Sequence, residues 1–357
     1  MLMRGSHVVA EAAVRAGCRY YFGYPITPQN ELPEYLSARL PEVGGTFIQA
    51  ESEIASINMV IGASVAGGRA MTSSSSPGIS LKQEGISYLC GQELPAVIVN
   101  MMRGGPGLGN IAPSQADYFQ ATRGGGHGDY RTLVFAPASC QEFADLTFEA
   151  FEAADRYRNP VMLLGDGLMG QMMEPVILPD PIDLKDIPAK EWILDGCKGR
   201  APRAIYSMIL DPPTMYRHNY HLQEKYDRMA TEVRFDTYRT EDAELVVVAY
   251  GTASRIAKGA INRLRREGYK VGLFRPISLW PFPKLQLREL ASRGIKVAVF
   301  ELSLGQMVED VIISVGGRAE IYFRGIPGGV IPTPAEVAEF VLSSIKGDGR
   351  VGRRVEI

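Results

Sequence analysis

Cysteine is scarce in this sequence: four residues in 357, at Cys18, Cys90, Cys140 and Cys197, all far apart along the chain. No pair has the close CxxC spacing that zinc sites and ferredoxin-type clusters use. Scattered thiols of this kind read as small buried hydrophobes in a reducing compartment, so a cytoplasmic location is expected. Histidine is equally sparse at four residues, two of them (His218 and His221) in one short segment, which argues against a histidine-based metal site. Any redox chemistry the chain serves must therefore draw its electron carrier from elsewhere. Long apolar runs are missing too. The longest, such as 96–100 and 245–250, are strand-sized and fall well short of the ~18 residues of a membrane span. Glu11 and Arg15 stand where a secretion signal needs uninterrupted apolar sequence, so neither export nor a membrane partner is expected. Positive charge is not in excess: 38 Lys and Arg face 40 Asp and Glu, a net charge of −2 that leaves no footprint for nucleic acid. The basic tail around Arg350, Arg353 and Arg354 reads as a solvated end.

What is present is ordinary globular material, 46% apolar and 22% charged, long enough for two or three domains. Short apolar runs at 19–22, 46–49, 69–72, 96–100, 132–135 and 161–164 alternate with amphipathic stretches at 8–16, 31–40, 52–66, 79–91 and 141–157. Strands separated by helices of that length predict βαβ units and a mostly parallel sheet over residues 1–170. Residues 171–242 break the rhythm. Pro175, Pro179, Pro181, Pro188, Pro202, Pro212 and Pro213 mark an irregular crossover, too long for an ordinary loop, with one helix from His221 to about Thr231. From 243 to 346 the alternation resumes: strands at 245–250, 271–274, 297–301 and 321–323, helices at 254–267, 284–292 and 305–315, and a last helix opened by Pro334. Residues 347–357 form a tail. The expected fold class is therefore α/β, in two domains.

Glycine concentrates in two loops, 104–109 and 124–128, but neither has GxGxxG spacing and no GK[ST] occurs anywhere, so both read as turns rather than phosphate cradles. Gly165-Asp166-Gly167 follows an apolar strand, as the start of a thiamine diphosphate signature does. The asparagines that would complete an octahedral Mg2+ site downstream are missing, and residues 193–196 supply none, so Asp166 reads as a turn residue. Glu51 and Glu53 open the helix after the strand at 46–49. The helix dipole alone accounts for carboxylates there, and the other reading sends one of them into a ligand cleft at the carboxyl edge of the sheet; spacing leaves both open. Arg103, at a strand end and followed by glycines, reads as an anion anchor, with a plain surface charge as the alternative.

Four segments occur in order: Gly23-Tyr24-Pro25-Ile26-Thr27-Pro28, Gln49-Ala50-Glu51-Ser52-Glu53, Thr72-Ser73-Ser74-Ser75-Ser76-Pro77-Gly78 and Asn100-Met101-Met102-Arg103-Gly104-Gly105-Pro106. With Glu301-Leu302-Ser303-Leu304-Gly305-Gln306 further on, they make the chain resemble the alpha subunit of 2-oxoacid:ferredoxin oxidoreductases, most of all the multi-subunit enzymes for branched-chain 2-oxo acids or 2-oxoglutarate. The resemblance implies a pyrimidine-type thiamine diphosphate-binding domain followed by a domain similar to the C-terminal domain of transketolases. It implies oxidative decarboxylation of a 2-oxo acid with coenzyme A to acyl-CoA and CO2, with ferredoxin reduced. It places Mg2+, the diphosphate half of the thiamine site and iron–sulfur clusters on partners: a beta subunit completing the site, and gamma and ferredoxin-like delta subunits. Carried over by position, Glu53 is the carboxylate on the aminopyrimidine ring nitrogen, where sharing a proton with the ring prepares removal of the thiazolium proton. Thr27 is the hydroxyl facing the substrate's oxo or carboxylate group, and Arg103 the cation for that carboxylate. Ser74, Ser75 and Gly78 lie in the loop beside the cofactor, and Gln306 is structural. Two alternatives stand beside this reading: a beta-type subunit of a lipoamide-dependent 2-oxoacid dehydrogenase, and a non-catalytic scaffold of a redox complex. The identity of the 2-oxo acid is left open, because all such substrates share the carboxylate.

Overall fold

The expected strand–helix alternation becomes two layered sheets, with a small antiparallel pair of strands beside them, in the computed structural model, which describes residues 1–355. The first unit runs β1 (Leu2–Arg4), α1 (Gly5–Arg15), β2 (Tyr20–Gly23), α2 (Glu31–Glu42), β3 (Thr46–Gln49), α3 (Glu53–Val65), β4 (Ala70–Ser74), α4 (Pro77–Gly91), β5 (Ala96–Met102), α5 (Tyr118–Arg123), β6 (Leu133–Phe135), α6 (Cys140–Tyr157), β7 (Pro160–Asp166), α7 (Gly167–Gln171) and β8 (Met173–Pro175). The connection carries α8 (Pro212–Met229) and β9 (Phe235–Tyr238). The second unit runs β10 (Leu245–Val248), α9 (Gly251–Arg266), β11 (Val271–Pro276), β12 (Ser278–Trp280), α10 (Lys284–Ala291), β13 (Lys296–Glu301), α11 (Met307–Val315), β14 (Ile321–Gly325), α12 (Pro334–Lys346) and β15 (Arg353–Arg354).

The larger sheet has the order β12-β6-β7-β5-β4-β2-β3, parallel except for β12. Its central strands β5 and β7 are buried along their whole length, because helices cover both faces of a parallel sheet. The chain leaves β2 outward to β3, then returns across it to β4 and proceeds to β5. That reversal makes a topological switch point between β2 and β4, where a crevice opens at the carboxyl edge. The loops after β2, β3, β4 and β5 surround this crevice.

The second sheet has the order β15-β14-β13-β10-β11-β9, with a parallel centre and antiparallel edges. The two units interlock. Phe235–Tyr238, from the 171–242 stretch, joins the second sheet, while Ser278–Trp280, from the 243–346 stretch, joins the first. Gln115 Nε2 donates to Tyr250 O at 2.8 Å and its Oε1 accepts from Leu302 N at 3.0 Å. Gln306, read as structural, binds Phe119 N and Ala116 O, both at 2.7 Å, through its amide oxygen and nitrogen. Arg275 of β11 grips Glu142 of α6 through both carboxylate oxygens at 2.7 and 2.8 Å.

Several local expectations are corrected. The helix expected from His221 begins at Pro212 instead. Asp211 caps it by accepting from Thr214 N at 2.9 Å, and the two prolines fill its first positions, where an N–H has no helical partner to lose. His218 and His221 brace this helix, their Nε2 atoms lying 2.9 Å from Gly91 O and 3.0 Å from a Glu93 carboxylate oxygen. The basic tail is exposed as expected, but it also pairs Arg353 and Arg354 with β14, and Arg354 meets Glu320 at 2.8 Å. Of the four thiols, Cys18, Cys90 and Cys140 are buried as expected, but Cys197 is exposed on the crossover. Burial pushes the Cys18 and Cys90 thiols up to about 12 and Cys140 to about 11, so all three stay protonated and inert. Among the described residues no helix is long and apolar enough to cross a membrane.

Candidate functional site

The first wall of the crevice is the start of α3. Ser52, in extended backbone, caps this helix by accepting from Ala55 N at 3.2 Å, which sets Glu53 as its first residue. The two candidate carboxylates then part. Glu51 stays outside the helix, exposed, and accepts the Ser52 hydroxyl at 2.7 Å. Glu53 is only 6% exposed, and among the described residues no protein group hydrogen-bonds its carboxylate. A buried carboxylate left without a partner is costly, although the N-terminus of α3 offsets part of that cost.

The opposite wall is the β4–α4 connection. Gly78 lies so close to α3 that a Cβ there would sit 2.7 Å from Glu53 Oε1 and 2.1 Å from Ser74 Oγ. Glu53, Ser74 and Gly78 are thus brought together. The hydroxyls of Ser74 and the neighbouring Ser75 are buried with no protein partner among the described residues. Gly78→Ala must push the carboxylate or the serine aside. We expect the folded protein to persist while activity of the assembled complex falls by tenfold or more, on the order of the ~10²-fold effects that follow a 1 Å misplacement. Steady-state kinetics with circular dichroism as the folding control measures this, and wild-type activity in Gly78→Ala would show that the contact is dispensable.

Arg103, at the end of β5, is buried at 6% exposure. Its Nη1 donates to Thr27 O and its Nη2 to Leu108 O, each at 2.9 Å, while its Nε–H is buried without a partner. The structure joins Arg103 to Thr27 through the main chain; the Thr27 side chain is exposed, with Asn30 Nδ2 3.5 Å from its Oγ1. Three of the five guanidinium N–H groups remain for a ligand.

Sequence reasoning missed the residues that hold these groups in place. Ser76, at a positive φ of 22°, donates to Asp117 Oδ2 at 2.5 Å and accepts from Arg103 N at 3.0 Å. Asn100 donates to the same Asp117 oxygen at 2.9 Å and accepts from Ser76 N at 3.1 Å. Burial raises the Asp117 carboxyl above the usual range, against these two bonds and the Arg103 charge. Gln29, fully buried, ties the β2 loop to β4 by accepting from Ser73 Oγ at 2.5 Å. Lys82, also fully buried, donates to Thr72 Oγ1 at 2.8 Å and to Ser56 Oγ, and burial pushes its amine down from 10.5 to about 7. A helical wheel of α4 puts Lys82 on the same buried stripe as Gly78, Ile86 and Leu89, the one signal that could have exposed it. Asp166, read as a turn residue, instead ends β7 and caps α7, its carboxylate accepting from Leu168 N and Met169 N at 3.0 and 3.1 Å. The crevice therefore offers a buried, unpartnered carboxylate, two free hydroxyls and a glycine floor on one side, and a guanidinium on the other. That set suits a flat polar heterocycle next to an anion.

Comparison with known proteins identifies relatives of the chain. Residues 11–240 match the family model described as pyruvate flavodoxin/ferredoxin oxidoreductase, thiamine diphosphate-binding, and residues 243–337 match that of pyruvate:ferredoxin oxidoreductase core domain II. The chain is 52% identical over 318 residues to ketoisovalerate oxidoreductase subunit VorB of Methanothermobacter thermautotrophicus, covering 89% of this chain and 90% of that one. It is 36% identical over 367 residues to 2-oxoglutarate synthase subunit KorA of the same organism, covering 95% and 97%. A solved structure of 2-oxoglutarate:ferredoxin oxidoreductase from Magnetococcus marinus, with 2-oxoglutarate, coenzyme A and succinyl-CoA bound, superposes with a TM-score of 0.82 at 26% identity, covering 97% of this chain and 65% of that one. A split-gene transketolase in an inactive beta4 tetramer shares the fold, with a TM-score of 0.59 at 15% identity and coverage of 96% and 98%.

Proposed function

The chain belongs to the 2-oxoacid:ferredoxin oxidoreductases, as an alpha-type subunit with a thiamine diphosphate-binding domain and a transketolase-like C-terminal domain, and from that premise we propose what its crevice does. It holds the aminopyrimidine of thiamine diphosphate in an enzyme that converts a 2-oxo acid and coenzyme A to acyl-CoA and CO2 and passes two electrons to ferredoxin. The observation that carries the proposal is the Glu53 carboxylate, buried and unpartnered, with Gly78 pressed against it. The orphaned Ser74 and Ser75 hydroxyls and the glycine floor fit the polar edge of such a ring. When bound, thiamine diphosphate supplies the electron sink into which a 2-oxo acid can lose CO2.

The chain's own residues bind, orient and move protons. Glu53 accepts and returns a proton at the ring nitrogen. Ser74 and Ser75 orient the ring edge. Arg103 meets the substrate carboxylate with its free N–H groups, and Thr27, carried on the carbonyl that Arg103 already grips, places its hydroxyl at the substrate's oxo group. The 52% identity to the ketoisovalerate subunit, against 36% to the 2-oxoglutarate one, favours a branched-chain 2-oxo acid.

The rest of the cofactor falls to partners in this reading. The crevice is flanked by Ile54 and Met59 of α3, Leu81 and Tyr88 of α4 and Ile48 of β3, all exposed. Exposed apolar side chains on these neighbouring elements support a covering subunit. We assign that role to a beta subunit bringing the diphosphate and Mg2+ ligands and an iron–sulfur cluster, with gamma and ferredoxin-like delta subunits completing a cytoplasmic assembly. The isolated chain is then expected to bind thiamine diphosphate poorly. Loss of two or more charged hydrogen bonds, each worth about 1.5–3 kcal/mol, weakens affinity by at least ~10²-fold against the full complex. Calorimetry on both compares them, and tight Mg2+-dependent binding by the chain alone would overturn the divided site.

A further inference from the structure

Helices α3 and α4 pack against one another in two rungs. In the outer rung Glu53 faces Gly78. One turn further along α3 comes Ser56, and one turn further along α4 comes Lys82, and these two also meet. Positions three and four apart on a helix lie about 5–6 Å from each other, so the Lys82 ammonium sits one helical turn behind the Glu53 carboxylate. We propose that Lys82 is a positioning residue that acts through Glu53, supplying the counter-charge that holds this carboxylate aimed into the crevice. The inference rests on the role given to Glu53 above.

Three observations carry it. Lys82 has no exposed surface, and among the described residues no carboxylate lies within ion-pair distance of it; its bonds go to the neutral hydroxyls of Ser56 on α3 and Thr72 on β4. The other fully buried lysine, Lys225, has Glu93 at 3.6 Å. Among the described residues the one charge that acts on Lys82 is that of Glu53, which opposes the effect of burial. An ammonium buried without an ion pair is a liability that an apolar chain of the same length would remove. A carboxylate without a partner one rung away gives the charge its purpose.

Coupling between two groups is reciprocal, and that reciprocity provides the test. Lys82 in the folded protein releases its proton near neutrality, while the unfolded chain holds it up to 10.5. The unfolded state therefore binds more protons across that window, and stability rises with pH through it. In the assembled complex, thermal unfolding against pH is measured for wild type, Lys82→Met, Lys82→Gln and Glu53→Gln. Both Lys82 variants should lack the rise. Glu53→Gln should keep the rise but begin it at lower pH, because the charge that favours the ammonium is gone. The acid limb of the kcat profile should move up by about one pH unit or more in Lys82→Met and Lys82→Gln alike, although Gln retains hydrogen bonds to Ser56 and Thr72. An unchanged window in Glu53→Gln, or a wild-type pH profile in Lys82→Gln, overturns the proposal by leaving Lys82 a merely structural residue. If Lys82→Met does not fold, the Glu53→Gln window still decides. A Glu53→Gln complex with wild-type turnover would instead overturn the role of Glu53, and this inference with it.

Discussion

Glu53→Gln in the assembled complex is expected to slow turnover by about 10²- to 10⁴-fold, the range associated with a positioned proton-transfer group. Glutamine keeps the size of the side chain and one hydrogen-bonding oxygen, so the buried contact with Gly78 survives. What is lost, on the proposed role, is a carboxylate able to take and return a proton at the ring nitrogen. Glu51→Gln should be nearly silent, because Glu51 is exposed and its carboxylate is engaged by the adjacent Ser52 hydroxyl. Deuterium exchange at the thiazolium carbon of the bound cofactor reads the effect without interference from later steps. Equal losses at both positions, or none at either, would place the reacting carboxylate elsewhere.

Arg103→Ala should cost roughly 2–5 kcal/mol in kcat/KM, the range for removing one partner of a desolvated charged pair. The structure adds a second contribution that the sequence did not indicate. The guanidinium already bridges the β2 loop at Thr27 O and the glycine loop at Leu108 O, so alanine would also free those two loops. Arg103→Lys separates the contributions. A single ammonium can meet the substrate's anion but loses the planar fork that reaches both carbonyls and a carboxylate together, so KM should rise with the cofactor still bound. Thr27→Val should show a smaller loss, since its main-chain carbonyl stays in place. Kinetics across a 2-oxo acid series decide, and values within twofold of wild type for both Arg103 variants would return this residue to a loop brace.

The α/β alternation was legible because parallel strands buried on both faces are written as unbroken apolar runs, as in β5 and β7. The short edge strands β9, β12 and β15 were not. Each is three or four residues or fewer and pairs with a strand distant in sequence, so no local periodicity marks it. The start of α8 was missed because Pro212 and Pro213 were counted as breakers, whereas Asp211 in front of them makes them helix openers. The lipoamide-dependent alternative yields to the family matches. At the crevice, the loop residues could be read as ordered motifs. Asp117 and Gln29 could not, because each matters only through a neighbour that the fold brings from another element, and Lys82 was marked only by its place on the buried stripe of α4.

The strand exchange between the sheets has a consequence for inheritance. A gene break near codon 242, or recombination there with a relative's second half, would strip β6 of Ser278–Trp280 and carry Phe235–Tyr238 away from β11. Each fragment would present a bare sheet edge, the feature that invites misassembly. The halves are therefore expected to be transmitted together and to melt in one transition, as a single hereditary unit, even though each looks like a separable module when the sequence is read from left to right.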